Sequence, residues 1–339
     1  MYSLIAGMLI PLRSGITDVQ PSSVRTGERV ELTVTGYNTH FLQAKDQIRA
    51  WLKLDSVHTF SPRSIDVQGE QQLTLSFDIP AALPTDQKVN LSALILDNPI
   101  DGASVLPSAV SITQNADKSI TKGEAAWPQS DIKNLHKGSL AFPFRNLLEE
   151  TIRNLYYHVS LWFAMIFLLC AANYHAYRYL RTSDLLHDAK SAAYTQVALL
   201  FGIMGLVTGM MWASYTWGAA WSNDPKQAGT AVALLIYAAY FVLRGSFDDE
   251  ERRAKVSAPY SVFAFVAYLL LIYLYPRLVE SLHPGNGGNP GFGGEDLDNT
   301  MRLIFYPAII GWILLGFWLS NLAWRITWVR TKLYELESY

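Results

Sequence analysis

The sequence predicts a mainly α polytopic membrane protein with an extracytoplasmic β-sandwich inserted after its first apolar segment. Half of the 339 residues are hydrophobic and only 17% are charged, and the apolar residues are concentrated after residue 150. The hundred or so residues before that point alternate apolar and polar positions in short runs, which is typical of strands. Two regions of different structural class therefore share one chain.

The N-terminal segment, residues 3–12 (SLIAGMLIPL), is apolar but too short to cross a hydrocarbon core of about 30 Å. No basic residue precedes it, as a signal peptide would require. We interpret residues 1–13 as a truncated first span, which brings the expected total to about six transmembrane helices. A short signal sequence or an interfacial anchor is the alternative. Either interpretation places the next domain outside the cytoplasm.

Residues 14–118 carry the predicted β-sandwich. Runs with a period of two occur at 29–36, 47–54, 72–79 and 88–96, separated by Pro, Gly, Asn and Asp, and this spacing is typical of antiparallel sandwiches. The opening ITDVQPSSVRTGERVELTVTG resembles the first strands of immunoglobulin-like domains of the IPT/TIG type. His40 and His58 lack metal-ligand spacing and are interpreted as surface or loop residues. Residues 119–152 are expected to form a linker.

Five further segments are apolar over roughly the 17 to 25 residues that cross a bilayer. They cover residues 157–179, 193–215, 228–243, 260–275 and 303–324. Basic residues collect in the short segments after the first, third and fifth of these spans, and such segments stay in the cytoplasm. Alternation then places residues 212–226 and 276–302 on the opposite side, together with the β-sandwich. Residues 153–328 form the predicted transmembrane domain and 329–339 a cytoplasmic tail.

The single cysteine and the absence of a nucleotide-binding pattern exclude two classes of function. Cys170 lies inside a predicted span, so the chain has neither an intramolecular disulfide nor a C-x-x-C thiol relay. No G-x-x-x-x-G-K-[ST] pattern occurs, so the chain is not expected to hydrolyse ATP.

Residues 212–226, WASYTWGAAWSNDPK, which we call the tryptophan loop, are the strongest signal for a ligand site. Membrane interfaces attract Trp and Tyr in any case, and this explains one or two of the indoles but not the cluster. On a helical turn Trp217 and Trp221 would share a face, with Gly218 leaving the backbone open beside them. Asp224, followed by proline, predicts the N-cap of the next helix and thereby directs Lys226. The loop is expected to hold a flat apolar ligand.

Two histidines lie on the same predicted side as the tryptophan loop. His158 begins one span and His283 follows the end of another. A histidine at a helix end is often only a hydrogen-bonded interface residue, which is the alternative for each of them. Imidazoles that approach from two directions are also the usual axial ligands of haem iron, and indoles can cover the porphyrin. His175 and His187 lie towards the cytoplasmic side and are poor candidates.

Several cations lie on the predicted outer side despite the topology rule. Snorkelling at the interface explains any one of them, whereas as a group they can pair with haem propionates. Lys226 and Arg302 rank first because each begins a span, where the helix dipole also favours an anion. The other two are Arg153 and Arg277.

Four motifs together resemble the CcmC/CcsA family, the haem-handling proteins of cytochrome c maturation. They are HV at 158–159 after two tyrosines, LVTGMMWASYTWGAAWSNDPK at 206–226, FDD at 247–249 and LHPG at 282–285. The resemblance covers about residues 153–328. It is closest to CcmC, the haem-handling subunit of the haem exporter, and CcsA proteins are more distant relatives. Asn223 stands where many members carry another Trp, and Ala220 stands where some do. The aromatic surface that can face a ligand is therefore smaller here.

The resemblance implies a function and a set of site residues. It implies six spans in the bacterial cytoplasmic membrane and transient binding of haem b at the periplasmic face, with His158 and His283 as axial ligands. The loop positions against the porphyrin are Trp212, Trp217, Gly218, Trp221 and Asp224. The implied partners are haem, a periplasmic haem chaperone, an exporter membrane subunit, an ATPase subunit and membrane lipid. No nucleic-acid partner and no enzymatic activity are expected.

Two other functions stay open at this point. One is a membrane b-type cytochrome for electron transfer. The other is a haem-free scaffold, in which the aromatic residues of the loop belong to the aromatic belt at the membrane interface and to a surface that contacts a partner protein. For haem handling, the glycine-rich run PGNGGNPGFGGEDLDN after His283 is expected to be a flexible linker, so that release proceeds by withdrawal of one ligand.

Overall fold

Five helical segments of the chain are long and apolar enough to cross a membrane, by their length and composition, among the residues that the structure describes. They are Glu149–Thr182, Leu185–Thr216, Pro225–Gly245, Glu250–Leu278 and Asn299–Leu333. The structure, a computed structural model, describes residues 1–85, 87–114, 132–146, 148–283 and 297–337, with side chains up to residue 333. All five spans expected from the sequence are confirmed, which fits a multi-pass membrane protein with an inserted β region.

The chain divides into two units. A helical unit comprises Met1–Leu9 and Glu150–Tyr339, and a β unit comprises Ile10–Glu149. Residues 132–146, expected to belong to a linker, are part of the β unit.

Nine strands form two sheets in the described part of the β unit. A four-stranded sheet has the order β1-β3-β7-β6 and a five-stranded sheet has the order β2-β9-β8-β4-β5. Every pair is antiparallel except β2 with β9. The strands are β1 Gly15–Gln20, β2 Ser23–Arg25, β3 Arg29–Tyr37, β4 Arg49–Lys53, β5 Thr59–Phe60, β6 Ser64–Val67, β7 Gln72–Asp78, β8 Val89–Asn98 and β9 Gly102–Thr113.

Alternating side chains from both sheets fill one core. Leu73, Leu75 and Phe77 of β7 are fully buried, and so are Leu94 of β8 and Val110 of β9. Because successive side chains of a strand point to opposite faces, the period of two predicts this inward face directly. A two-sheet sandwich is therefore present, whereas its kinship to immunoglobulin-like domains stays a prediction.

A buried carboxylate fastens the segment around residue 136 to the β unit. Asp97 has no solvent exposure; it accepts a hydrogen bond at 3.0 Å from Nε of Arg49 and bonds at 2.7 and 2.8 Å from the backbone N–H and Nδ1 of His136. Burial by itself raises the pKa of Asp97, but its bonds to His136 and Arg49 outweigh that effect and hold the pKa below its ordinary value. The Asp97 carboxylate is thus ionised although it is buried, and its hydrogen bonds to Arg49 and His136 compensate for the hydration that it has lost.

Seven α-helices make up the described part of the helical unit, and an aspartate precedes four of them. The helices are α1 Tyr2–Leu9, α2 His158–Thr182, α3 Leu185–Thr216, α4 Pro225–Gly245, α5 Glu250–Leu269, α6 Tyr275–Leu278 and α7 Asn299–Glu337. A 3-10 helix, Glu149–Tyr156, precedes α2, and a π-helical turn, Leu270–Leu274, joins α5 to α6. In the first turns of α3, α4, α5 and α7, backbone N–H groups donate to the side chains of Asp184, Asp224, Asp249 and Asp298.

Helix α2 lies at the centre of the helical unit. Its apolar face packs with α3, α5 and α7 and is buried at Leu161, Ala164, Met165, Leu168, Leu169 and Ala172. A buried ion pair also ties α3 to α4, since Arg244 donates to both oxygens of Asp188 at 2.7 and 2.8 Å. Ionisable groups among apolar helices are tolerated when they are paired in this way.

The N-terminal apolar segment forms α1, a helix of eight residues that packs in the helical unit. The hydroxyl of Tyr2 donates to the carbonyl of Leu303 in α7 at 3.4 Å, and Arg153 donates to the carbonyl of Gly7 at 2.8 Å. That α1 is the end of a sixth span stays a prediction.

Candidate functional site

The tryptophan loop begins where α3 ends, and a glycine sets that end. Trp217 closes α3 by donating its N–H to the carbonyl of Ala213 at 2.8 Å. Gly218 follows with φ of +75°, a conformation that costs a side-chain-bearing residue about 1 kcal/mol or more. None of the described residues lies within 4 Å of the position of a Cβ there, so among them the glycine is needed for backbone conformation and not for space.

Because the helix stops at this glycine, the expected pairing of Trp217 with Trp221 on one helical face is wrong. Trp217 instead meets Trp212, one turn earlier, with ring centroids 5.2 Å apart and edge to face. On its other side Trp217 contacts the imidazole of His283 at 4.9 Å, again edge to face. Trp221 is 44% exposed.

A glutamine that the sequence motifs do not point to fixes the rest of the loop. The carbonyl oxygen of the Gln227 side chain accepts bonds from the backbone N–H and the hydroxyl of Ser222, at 2.8 and 2.9 Å. Its amide donates to the carbonyl of Ala220 at 3.3 Å. Gln227 is buried in the first turn of α4, so it pins the loop to that helix.

His158 is the first residue of α2, and α3 determines which of its nitrogens is available. Its Nδ1 lies 2.8 Å from the carbonyl oxygen of Gly205 and 3.2 Å from the hydroxyl of Thr208. Since a carbonyl only accepts, Nδ1 carries the proton in the neutral ring and Nε2 keeps a lone pair. Gly209 packs against the ring, where a Cβ would lie 2.6 Å from Cε1 of His158.

His283 is held by the carboxylate of Asp224. Its Nδ1 lies 2.7 Å from Oδ1 of Asp224, while Oδ2 accepts bonds from the Ser281 hydroxyl at 2.8 Å and from the Leu282 N–H at 2.7 Å. Oδ1 also accepts the N–H of Lys226 at 2.9 Å as the N-cap of α4. The sequence predicted the cap, but the contact with His283 crosses 59 residues and carries no local signal.

The charges at this contact favour a neutral imidazole beside an ionised carboxylate. Burial and the positive charge of Lys226 lower the pKa of His283 below its ordinary value, against the opposing effect of Asp224. Burial raises the pKa of Asp224, but the hydrogen bonds from the Ser281 hydroxyl and from the N–H groups of Leu282 and Lys226 help to hold it below its usual range. His283 is therefore neutral near pH 7, with Nδ1–H on the carboxylate and a lone pair on Nε2.

The two histidines lie near each other and near Lys226, within the range of electrostatic interaction. Arg277 also acts electrostatically on Lys226. Arg302, ranked with Lys226 from the sequence, bonds to Asn299 at 3.3 Å. Within the part of the chain that the structure describes, no hydrogen bond joins Arg302 to either histidine or to the tryptophan loop.

The two histidines judged poor candidates from the sequence contact each other. Nδ1 of His175 lies 2.9 Å from Nδ1 of His187, and Tyr194 stacks on His175 with ring centroids 5.7 Å apart. No group of three or more possible metal ligands occurs among the described residues. The glycine-rich run expected to be flexible falls largely on residues 284–296, which lie outside the described residues.

The arrangement thus presents two imidazoles, each tethered through Nδ1 and each with no hydrogen bond to Nε2 from the described residues, beside an edge-to-face pair of indoles. Residues 150–283 match the protein-family model described as cytochrome C assembly protein. The match contains both histidines and the whole tryptophan loop, and it supports a role in cytochrome c assembly. It covers less than half of the chain and leaves out the β unit.

Three curated relatives, each described as cytochrome c biogenesis protein CcsA, show similarity over short stretches. The protein of Thermosynechococcus vestitus is 35% identical over 68 residues, which is 20% of this chain and 21% of the relative. That of Prochlorococcus marinus (strain MIT 9515) is 38% identical over 88 residues, 26% of this chain and 28% of the relative. That of Gloeobacter violaceus is 32% identical over 98 residues, 28% of this chain and 29% of the relative. The chain therefore spans less than a third of the length of each of these relatives.

Proposed function

We propose that this chain binds haem between His158 and His283 and hands it on during cytochrome c assembly. The observation that carries the proposal is the pair of imidazoles whose Nδ1 atoms are both occupied, one by Gly205 and one by Asp224, which leaves both Nε2 atoms as ligands. Neutral imidazoles are the ligands that haem iron takes most often from proteins. The family match at residues 150–283 adds independent support.

Each group of residues in the site makes a different contribution to the proposed haem binding. Gly205 and Asp224 fix the tautomer and direction of the two imidazoles, as acceptors behind metal-bound histidines generally do. Trp212 and Trp217 offer apolar surface beside His283, with Trp221 as the exposed indole of the same loop. Lys226 supplies a positive charge for a propionate.

Two further cations, Arg302 and Arg277, are part of the proposed site for the haem propionates. Arg302 stays a proposed second propionate partner, and Arg277 joins it because it acts electrostatically on Lys226. Gly218 contributes by ending α3 and opening the loop.

The proposed setting is the periplasmic face of a bacterial cytoplasmic membrane, with transient binding of haem b and transfer to a periplasmic acceptor. The relatives named CcsA support a CcsA-type role rather than the exporter-subunit role that the sequence motifs resemble most. A chaperone is the proposed acceptor, and exporter membrane and ATPase subunits remain partners only under the exporter alternative. The chain itself is proposed to handle haem without catalysing a reaction.

The functional test is the yield of c-type cytochromes in the native host. We expect His283→Ala in the chromosomal gene to abolish covalently attached haem in membrane and soluble c-type cytochromes. His187→Ala is the matched control, since it removes a histidine of the same helical unit whose ring contacts His175. Normal cytochrome yield in His283→Ala cells with the chain present at its usual level contradicts the proposal.

A further inference from the structure

The π-helical turn at the end of α5 leaves one backbone carbonyl without its helical donor. Tyr275 donates its N–H to the carbonyl of Leu270, five residues back, which defines the wide turn. In the same pattern the carbonyl of Leu271 would accept from residue 276, but that residue is Pro276, which has no N–H. In the π-helical pattern the carbonyl of Leu271 therefore lacks a donor at residue 276.

That carbonyl lies against a glycine of α4. A Cβ on Gly229 would lie 2.6 Å from the carbonyl oxygen of Leu271 and 3.4 Å from its carbon. Gly229 is buried, and the neighbouring Ile272 and Pro276 are buried as well. The two helix backbones thus approach each other at a distance that only glycine allows.

This contact and the Asp224 contact both join the start of α4 to the chain that ends α5. Gly229 follows Asp224 by five residues in α4, and Leu271 precedes His283 by twelve residues. We propose that the approach of Gly229 to the π-helical turn positions His283, because it sets where the chain after α5 meets the start of α4. Gly229 touches neither histidine, so it is a positioning residue. The inference rests on the proposed role of His283 as a haem ligand.

The available tolerance is small. A Cβ on Gly229 would lie about 0.8 Å closer to the carbonyl oxygen of Leu271 than the 3.4 Å at which ordinary van der Waals contact begins. Because this oxygen belongs to the backbone, it cannot move aside as the end of a side chain can. Ligand geometry is kept only when supporting residues hold it within about 0.5 Å, and misplacement by about 1 Å can cost a hundredfold. Separating the helices by this amount moves the segment that carries His283 away from Asp224.

The test compares Gly229→Ala with Gly245→Ala. Both glycines lie in α4, and no described residue lies within 4 Å of a Cβ on Gly245. Alanine is the better helix former at both positions, so helix propensity cannot explain a loss. Two quantities are measured in full-length protein in nanodiscs: hydrogen exchange of the Leu282 amide, which donates to Asp224 at 2.7 Å, and the spectrum of added haem.

We expect Gly229→Ala to lose protection at the Leu282 amide and to bind haem about tenfold more weakly, with iron no longer held by two imidazoles. Gly245→Ala behaves like the unmodified chain. Faster exchange at Leu282 in a chain that binds no haem in any form supports the positioning and refutes the haem function. Unchanged exchange and an unchanged haem spectrum in Gly229→Ala overturn the inference.

A second variant covers the case in which Gly229→Ala does not fold. Pro276→Ala supplies an N–H at residue 276 that can donate to the carbonyl of Ile272, four residues back, so the turn can close as regular α-helix. Losing the extra residue of the π-helical turn rotates the rest of the helix by about 100°. We expect the same loss of protection at Leu282, with Asp224 itself intact. If Pro276→Ala keeps full protection at Leu282 and binds haem normally, the inference is wrong.

Discussion

Substitution of Asp224 by asparagine separates the two roles of this side chain. Asparagine is as good an N-cap as aspartate, so the start of α4 is retained. An amide, however, offers one acceptor oxygen where the carboxylate offers two. In the unmodified chain, Oδ2 accepts hydrogen bonds from Ser281 and Leu282, and Oδ1 accepts them from His283 and Lys226. With a single acceptor oxygen in asparagine, one of these two pairs of donors loses its acceptor.

The size of the effect can be worked out from the bonds that are lost. A hydrogen bond to a charged group contributes about 1.5–3 kcal/mol. Removing the acceptor behind a metal-bound histidine typically lowers metal affinity by about 10–100-fold, or about 1.4–2.8 kcal/mol. We therefore expect Asp224→Asn to weaken haem binding by about 10–100-fold, with little change in helix content.

The assay is a haem titration of the purified chain in nanodiscs, followed by absorption. Asp249→Asn is the matched control, because Asp249 caps α5 through the N–H of Arg252 at 2.7 Å and has no contact with the site among the described residues. Haem affinity of Asp224→Asn within twofold of the unmodified chain refutes this reasoning. An equal loss in Asp249→Asn refutes it too, since the effect would then belong to helix capping in general.

Three further outcomes are expected. Gly209→Ala places a Cβ 2.6 Å from Cε1 of His158 and should lower haem affinity about tenfold, whereas Gly311→Ala, whose Cβ meets no described residue within 4 Å, should not; equal affinities contradict the packing. Because the pKa of His283 is lowered below its ordinary value, its imidazole is neutral at neutral pH and is protonated only in more acidic solution than an ordinary histidine, so a pH titration should show haem retained near neutral pH and lost on acidification; loss beginning near neutral pH contradicts this. Arg49→Ala leaves a buried carboxylate without its guanidinium and should destabilise the β unit by about 3–5 kcal/mol in thermal unfolding, with the haem spectrum unchanged; a shifted spectrum contradicts that separation.

The elements with a simple periodicity were predictable from the sequence. The five spans follow from length and hydropathy, because a lipid-facing helix must be apolar over its whole length. Strands β3, β4, β7 and β8 follow from the period of two. Strand β9 did not, because Pro107 and the positive φ of Ser108 interrupt its alternation and the β8–β9 register shifts beside them.

The candidate site was predictable in its residue types but not in its contacts. An aspartate before a proline predicts a helix cap, so the role of Asp224 at the start of α4 could be predicted locally. Its bond to His283 and the bond of His158 to the carbonyl of Gly205 join distant parts of the chain, and no local pattern encodes them. The helical pairing of Trp217 with Trp221 failed because the effect of Gly218 on the backbone outweighed the spacing.

Absorption and electron paramagnetic resonance spectra of the haem-loaded chain test most directly whether two imidazoles bind the iron. The samples are the unmodified chain, His158→Ala, His283→Ala and the control His187→Ala, all purified in the same detergent. We predict a low-spin bis-imidazole spectrum in the unmodified chain and in His187→Ala, and a change of ligation in each of the other two. Identical spectra in all four samples, or no bound haem in the unmodified chain, would contradict the proposed site.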